Sequence, residues 1–221
     1  MSLLDHIYPR FCLGCGKFGT YCCPQCLIDM PRLPYLKCPE CERPSIGGRT
    51  HPRCQKRFGI DGVLSFYPYK GVVKQAIKGI KYKFAYRIAE DVLQMISEEQ
   101  LIFLKHMILV PIPLHSSRLQ MRGFNQAEII ATILSKKYFL PIQINILKRV
   151  QKTPPQVEMR YRKERIENMK KVFAVSKTYQ LKKTAILLVD DVFTTGATMR
   201  SAAESLKKAG AETVWGVTIA Q

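Results

Sequence analysis

The sequence has no long hydrophobic run and is short of acidic residues. No stretch of eighteen consecutive apolar residues occurs in the 221-residue chain. This excludes a conventional membrane-spanning helix and, with no recognisable signal peptide, predicts a soluble cytoplasmic protein. Only 17 Asp and Glu residues stand against 35 Lys and Arg residues, so the formal net charge is +18. An excess of this size favours an anionic partner or substrate.

The excess charge is concentrated in two stretches. Residues 70–87 carry six basic side chains and no acidic one, and residues 148–183 carry twelve basic and three acidic side chains. Aromatic residues among them include Tyr82, Phe84, Tyr86, Tyr161 and Phe173. Basic tracks attract a phosphate backbone, and aromatic faces stack on unpaired bases. We therefore predict binding of single-stranded DNA with little sequence preference. The alternative is a basic surface that serves a small anion and solubility alone.

Cysteine is absent from residues 55–221, because all eight cysteines lie in the first 54 residues. Three CxxC pairs, and a fourth pair of His51 with Cys54, have the spacing of zinc knuckles. The simplest division gives two zinc sites, made of Cys12, Cys15, Cys23 and Cys26, and of Cys38, Cys41, His51 and Cys54. Cys22 is left over, although it could replace Cys23.

Two other readings of the cysteines are weaker. A disulfide module needs an oxidising compartment, and a thioredoxin-like redox motif needs a βαβ pattern around the pair. Neither fits, since nothing in the sequence indicates secretion and no such pattern surrounds the pairs. The segment also has too few large apolar residues for its own core, so we expect bound metal to replace that core.

The sequence has no Walker P-loop, but another phosphate motif lies near its end. Residues 185–189 are an unbroken apolar run, typical of a strand buried on both faces of a parallel sheet. Two carboxylates and a threonine-rich loop follow, and residues 199–209 then predict a helix that Gly210 stops. Loop amides at a helix N-terminus favour an anion, to which threonine hydroxyls add donors.

The two halves of this motif suit different parts of one ligand. Asp190 and Asp191 repel a phosphate but accept hydrogen bonds from neutral hydroxyls or hold a hydrated metal ion. Gly196 allows the backbone to approach the ligand closely. A ribose 5-phosphate satisfies both halves, with its diol on the carboxylates and its phosphate in the loop. The alternative is a strand–turn–helix whose Asp and Thr residues merely cap the helix.

This stretch resembles the phosphoribosyl-pyrophosphate (PRPP) motif of type I phosphoribosyltransferases, with its apolar strand, two acids and Thr-Thr-Gly-Ala-Thr. The resemblance implies that Asp190 and Asp191 are the catalytic pair and hold the ribose hydroxyls, with Mg²⁺ accompanying PRPP. It also implies a loop for the 5-phosphate, consisting of Thr194, Thr195, Gly196, Ala197 and Thr198.

The rest of the chain predicts a parallel α/β sheet with right-handed crossovers. Predicted strands cover residues 62–69, 106–110, 139–147, 172–175 and 213–219, and predicted helices cover 71–80, 86–97 and 125–137. Ligands bind such sheets at the carboxyl ends of the strands. A predicted loop over 114–124 therefore brings Ser116, Ser117 and Arg118 towards the aspartates. Lys81 and Lys83 suit a solvated helix end and contact with the substrate about equally.

Four further segments make the family resemblance more specific. These are Val-Pro-Ile-Pro at 110–113, the run from Arg118 to Gln126, the run from Lys148 to Gln156, and residues 165–168. With the cysteine segment they resemble the ComF family over essentially the whole chain, although His51 stands where the pattern has a cysteine. The resemblance implies a double zinc ribbon at 1–58, a phosphoribosyltransferase domain at 59–221 and a mobile loop near 151–169.

The ComF resemblance implies a role in natural transformation, in the handling of imported single-stranded DNA in the cytoplasm. Other DNA-uptake proteins are further candidate partners. Two more functions stay open, because binding and turnover need the same donors. One is a phosphoribosyltransferase that acts on a base, amine or nucleotide, with Arg118 and Mg²⁺ on the pyrophosphate. The other is a PRPP-sensing regulator without catalysis.

Overall fold

The computed structural model describes residues 9–80, 85–94, 96, 104, 106–150 and 172–221. Its strands are β1 (Leu36–Lys37), β2 (Pro44–Ser45), β3 (Gly62–Tyr67), β4 (Ile108–Pro111), β5 (Leu147–Arg149), β6 (Phe173–Val175), β7 (Ala185–Val192) and β8 (Thr213–Ala220). Its α-helices are α1 (Pro24–Ile28), α2 (Gly71–Gly79), α3 (Ala85–Leu93), α4 (Ser116–Arg122), α5 (Gln126–Tyr138) and α6 (Ala197–Lys208). Short 3₁₀ turns cover Ile46–Gly48 and Pro52–Cys54.

The main sheet has four parallel strands in the order β3-β8-β7-β4. The α/β class predicted from the sequence is confirmed. Since all four strands point the same way, their carboxyl ends lie along one edge, which is where such sheets bind ligands. β1 pairs with β2, and β5 with β6, in separate antiparallel ribbons. None of the described helices is long and apolar enough to cross a membrane.

The centre of the sheet is buried on both faces, as the apolar run predicts. Ile186 and Leu188 pack on the face that carries α6, whereas Leu187 and Val189 pack on the face that carries α2, α3 and α5. All four side chains are fully buried. Burial of each contributes about 1.5–3 kcal/mol, so these residues hold the carboxyl end of β7 rigidly in place.

Three predicted boundaries were wrong. β7 runs on to Val192 and includes both aspartates, because Asp190 and Val192 still pair with Thr218 and Ala220 of β8. The predicted strand 139–147 is reduced to one bridge, between Ile142 and Leu109, before β5 begins at Leu147. Residues 143–145 are all exposed, so no buried face extends the pairing beyond this bridge. The last helix begins two residues early, at Ala197, because Gly196 caps it.

The predicted loop over 114–124 was also wrong, because most of it is helix α4. His115 caps the helix, since its Nδ1 accepts a hydrogen bond from the Ser117 amide at 3.3 Å. Gly123 ends the helix with a φ of 80°. A seven-residue polar helix has no apolar face that a pattern could reveal, and its capping residue was not recognised.

Some sequence predictions fall outside the described residues. These are Lys81 and Lys83 as substrate contacts, the loop near 151–169, and the end of the predicted helix 86–97, of which α3 is described to Leu93. The predicted strand 172–175 exists as β6, although it pairs with β5 and not with the main sheet.

Candidate active site and metal centres

The acidic pair lies at the carboxyl end of β7, between the neighbouring strands. Asp191 is buried and Asp190 is half-buried. The Asp191 amide donates to Asp190 Oδ1, and the Val192 amide donates to Asp191 Oδ1, each at 2.9 Å. The amide of Ile112, just past β4, donates to the Val189 carbonyl at 2.9 Å. The chain that leads into α4 therefore leaves the sheet beside the two carboxylates.

The charge on Asp190 is poorly compensated in the free protein. Burial raises the pKa of Asp190 well above its usual range, and the negative charge of Asp191 raises it further. The Asp191 amide and the Arg149 guanidinium act in the opposite direction without cancelling these effects. Hydroxyl donors or a cation at this carboxylate would favour its charged form. The pair is therefore suited to a ligand that brings such groups.

The threonine loop connects the acidic pair to α6. Thr194 and Thr195 are exposed, whereas Gly196 is buried and caps the helix with a φ of 69°. A Cβ atom on Gly196 would lie 2.6 Å from Cζ of Phe193, so the turn needs glycine. The amides of the first helical turn, which includes Ala197 and Thr198, have no partner within the helix. The loop can therefore receive an anion.

Helix α4 is the third element of the candidate site, after the acidic pair and the threonine loop. Ser116 and Arg118 are exposed, and Ser117 is half-buried, with its Oγ 2.9 Å from Nδ1 of His115. Because β4 is next to β7, the helix starts on the same edge as the aspartates, as predicted. Its first turn offers hydroxyls and a guanidinium, which suit an anionic group.

Arg149, on β5, also lies in this region, although the sequence did not predict it as a site residue. Burial lowers the pKa of Arg149, the charge of Arg118 lowers it further, and the charge of Asp190 raises it. The guanidinium therefore lies within electrostatic reach of both, and it also lies 5.5 Å from the ring centre of Phe173. The alternation along β5, with Leu147 buried, Lys148 exposed and Arg149 half-buried, was the available signal.

The first cysteine group, Cys12, Cys15, Cys23 and Cys26, is assembled as predicted. The four Sγ atoms lie within 4.8 Å of one another, and those of Cys15 and Cys23 are 3.7 Å apart. A tetrahedral zinc ion with Zn–S bonds of about 2.3 Å needs sulfur atoms about 3.8 Å apart. The group therefore has the size of a tetrahedral thiolate site.

Backbone amides point at the sulfur atoms of the first group. Cys12 Sγ accepts from the amides of Gly14 and Cys23, each at 3.4 Å. Burial acts to raise the pKa of Cys12, but amide donors from Cys23, Cys15 and Gly14 outweigh it and lower the pKa to about 6. A metal ligand must be a thiolate, which these amides favour. All eight cysteines are free, as a metal site requires.

The second group contains Cys38, Cys41, His51 and Cys54, again within 4.8 Å of one another. Nδ1 of His51 lies 3.4 Å from Cys41 Sγ, and Nε2 lies 3.0 Å from the Pro44 carbonyl. A carbonyl at Nε2 fixes the proton there and leaves the Nδ1 lone pair for a metal ion. His51 therefore fits the position where the family pattern has a cysteine.

Cys22 does not join either group. Its side chain is fully buried, and burial raises its pKa to about 12. The Cys22 amide donates to Asp91 Oδ2 at 3.3 Å, and the Cys22 carbonyl accepts from Nε2 of Gln94 at 3.3 Å. The residue therefore packs between the first cysteine group and α3, and Cys23 is the cysteine that faces the other three thiols.

The comparison with protein families agrees with this architecture. The model described as "Phosphoribosyl transferase domain" matches residues 87–221. The chain belongs to the phosphoribosyl transferase domain family. The match contains the acidic pair, the threonine loop, α4 and Arg149. Both cysteine groups precede the matched residues.

Relatives of this phosphoribosyl transferase domain protein support the ComF resemblance. Competence protein F of Haemophilus influenzae is 39% identical over 113 residues, or 49% of this chain and 48% of that protein. Competence protein ComFC of Bacillus subtilis is 29% identical over 211 residues, or 91% of this chain and 79% of that protein. The DNA utilization protein YhgH of Salmonella typhimurium is 28% identical over 189 residues, or 80% of each chain. The resemblance to the ComF family is thereby confirmed.

Proposed function

We propose that the protein binds PRPP with Mg²⁺ and handles imported single-stranded DNA in the cytoplasm during natural transformation. The observation that supports the first half is the position of an acidic pair, in which the pKa of Asp190 is raised, next to an exposed threonine loop at the carboxyl edge of the parallel sheet. The carboxylates accept hydrogen bonds and the threonine loop donates them. This combination suits a ligand that has both a diol and a phosphate.

Each part of PRPP has residues suited to it. Asp190 and Asp191 would accept hydrogen bonds from the ribose hydroxyls, and the loop amides with Thr194, Thr195 and Thr198 would donate to the 5-phosphate. Arg118 and Arg149 would face the pyrophosphate. Mg²⁺, when bound with PRPP, supplies further neutralisation of the pyrophosphate charge. Lys81 and Lys83 remain proposed contacts from the sequence alone.

Competition experiments test the PRPP site. Ribose 5-phosphate and pyrophosphate each offer half of the groups that this site would recognise. We expect both to displace labelled PRPP in the presence of Mg²⁺, each with an affinity at least tenfold weaker than that of PRPP, a difference of about 1.4 kcal/mol. A protein that does not retain labelled PRPP would contradict the proposal.

Catalytic transfer is the second candidate. Arg118 and Arg149 lie within electrostatic reach of each other on the Asp190 side of the site, where they could stabilise a departing pyrophosphate. Incubation with labelled PRPP and a panel of bases, amines and nucleotides tests this. Release of pyrophosphate with a labelled product identifies a transferase. Tight binding without release identifies a PRPP-sensing regulator.

We propose that each cysteine group holds one zinc ion. Support comes from the distances among the ligand atoms, the amides that face the sulfur atoms, and the hydrogen bond from His51 to Pro44. Elemental analysis of protein purified without chelator should give about two zinc ions per chain, one for each four-ligand set. About one ion would mean that the second group is empty.

The DNA half of the proposal has support in charge and in relatives. The YhgH relatives carry "DNA utilization" in their names, and the ComFC relatives carry "competence". Five exposed basic side chains belong to the segment of the second cysteine group: Arg43, Arg49, Arg53, Lys56 and Arg57. Arg43 and Arg53 line an open cleft of about 420 Å³ beside the ligands. This surface adds to the two basic stretches.

The aromatic residues of the basic stretches differ in what they offer. Tyr86 is exposed and lies beside Lys136, whereas Phe173 is buried in the core and cannot stack on a base. Tyr82, Phe84 and Tyr161 lie outside the described residues. Base stacking by the exposed rings would contribute about 1–3 kcal/mol each.

Fluorescence anisotropy with a labelled oligonucleotide tests DNA binding. We expect affinity to fall as salt rises, because basic side chains displace counterions from the phosphates. Alanine at Lys81, Lys83, Arg162 and Arg165 should flatten this salt dependence, and alanine at Arg43 and Arg53 should do so independently. No binding at low salt would contradict the DNA half while leaving the PRPP half in place.

A further inference from the structure

A hydrogen bond connects the second cysteine group to the candidate phosphate loop. Nη1 of Arg200 donates to the Pro39 carbonyl at 2.6 Å. Pro39 is buried and lies between two ligands of the group, Cys38 and Cys41. Arg200 lies in the first turn of α6, four residues after the glycine that caps this helix. The contact thus joins residues that are 161 positions apart in the sequence.

The same guanidinium packs against the loop itself. A Cβ atom on Gly196 would lie 2.9 Å from Nη1 of Arg200, so the side chain covers the glycine directly. The Arg200 amide also donates to the Gly196 carbonyl at 2.8 Å. Arg200 therefore contacts the left-handed turn of the loop through its backbone and its side chain. Its second contact is the knuckle that carries Cys38 and Cys41.

We propose that Arg200 is a positioning residue that couples metal occupancy of the second group to PRPP affinity. This inference rests on the proposed binding of PRPP. A metal ion orders the backbone around Pro39, and the ordered carbonyl holds the guanidinium against Gly196. The loop amides then keep the orientation that an incoming phosphate needs. Without the metal ion the carbonyl is released, and the loop must be ordered when the ligand binds.

The coupling must act in both directions. If metal raises PRPP affinity by some factor, PRPP raises metal affinity by the same factor. The first group offers an internal control, because the described hydrogen bonds between its segment and α3 are made by Asp91 and, just past the helix, by Gln94. PRPP should therefore protect the metal of the second group and leave the metal of the first group unaffected.

Two measurements test the coupling. The first is calorimetric titration of PRPP, with Mg²⁺, into wild type, Cys54→Ser, Arg200→Lys and the double variant. We expect Cys54→Ser to weaken PRPP binding about tenfold, within the usual range of coupling between sites. Arg200→Lys keeps the charge but loses the planar fork, so it should weaken binding similarly. In the double variant the two losses should not add.

The second measurement is the rate of zinc release to a chromogenic chelator, with and without PRPP. In wild type, PRPP should slow release of one of the two ions several-fold. PRPP should not slow the release of either ion from Arg200→Lys. It should also leave unchanged the release of the one ion that remains in Cys54→Ser. Lys208→Ala is the control, because Lys208 is an exposed cation on the same helix and pairs with Glu204 at 2.6 Å. It should behave as wild type.

The outcomes separate the coupling from the proposed function. A wild type that binds no PRPP overturns the proposed site and the coupling together. A wild type that binds PRPP, with the same affinity in Cys54→Ser and unchanged zinc release, overturns the coupling alone. Additive losses in the double variant would likewise show that Arg200 acts independently of the metal group.

Discussion

The two cysteine groups differ in what they touch. The first rests on α3, where Oδ2 of Asp91 accepts hydrogen bonds from the Thr20 hydroxyl and the Tyr21 amide, each at 2.6 Å, and from the Cys22 amide at 3.3 Å. The second touches the start of α6 through Arg200 and Pro39. One group is thus attached to a helix beside the core, and the other to a helix that begins at the candidate site.

This difference predicts unequal roles for the two cysteine groups. Two ligands of the first group, Cys12 and Cys23, lie with the neighbouring Cys22 and Leu27 in the same core cluster as α2 and α3. No ligand of the second group belongs to that cluster, and its histidine ligand lines a cleft that is open to solvent. The first group should therefore matter most for stability, and the second for ligand binding. The following predictions test this division.

The largest effect on stability should come from loss of the metal ion at the first cysteine group. Cys12→Ser removes a buried ligand that accepts two amide hydrogen bonds, so one zinc ion should be lost. Because metal replaces a core in such segments, we expect a stability loss of more than about 3 kcal/mol. Thermal unfolding with zinc analysis measures this. Cys54→Ser is the matched variant of the second group, and an equal loss of stability there would contradict the division.

A smaller loss should follow from Asp91→Asn. The amide keeps the shape of the carboxylate but removes the charge from three hydrogen bonds. Charged hydrogen bonds exceed neutral ones by roughly 1 kcal/mol each, so loss of the charge at the two short bonds, from Thr20 and Tyr21, should cost about 2 kcal/mol, or about 5 °C in melting temperature. Glu90→Gln, at the exposed neighbouring position, should have no effect. An unchanged melting temperature for Asp91→Asn would show that this contact does not hold the first group.

Asp190→Asn should change stability in the opposite direction. Since the pKa of Asp190 is raised in the folded protein, wild type loses stability as pH rises from about 4 through that raised pKa. The asparagine variant lacks this loss. Its melting temperature should match wild type near pH 4 and exceed it by a few degrees at pH 7, as expected when a functional group is removed. Zinc content should stay the same. A less stable variant at pH 7 would contradict this account of the acidic pair.

Candidate site residues that lie close together in the sequence were easier to predict than contacts between residues far apart in it. The aspartates, the threonine loop and the ligands of each cysteine group lie within short stretches, so spacing alone was informative. Asp91 contacts residues 69 to 71 positions away. Arg149 lies within electrostatic reach of Arg118 and Asp190, which are 31 and 41 positions away, and Arg200 contacts a residue 161 positions away. No periodicity reveals such partners, because they depend on how helices and strands pack.

Element boundaries were wrong where a single residue or pairing partner decides them. β7 continues through two aspartates because β8 offers partners as far as Ala220. α4 begins at the His115 cap, and the predicted strand before β5 is limited to one bridge because residues 143–145 do not pack on the sheet but are exposed. In each place tertiary contacts or capping outweighed the local hydrophobic pattern.

The most direct test of the PRPP site is a calorimetric titration of PRPP, with Mg²⁺, into wild type and into Asp190→Asn/Asp191→Asn. The asparagines keep the size of the side chains and remove both charges, so the double variant should fold and keep its zinc. We predict saturable binding to wild type and no measurable binding to the double variant, because the ribose hydroxyls lose both carboxylates. Equal affinity in the two proteins would contradict the assignment of the acidic pair to PRPP.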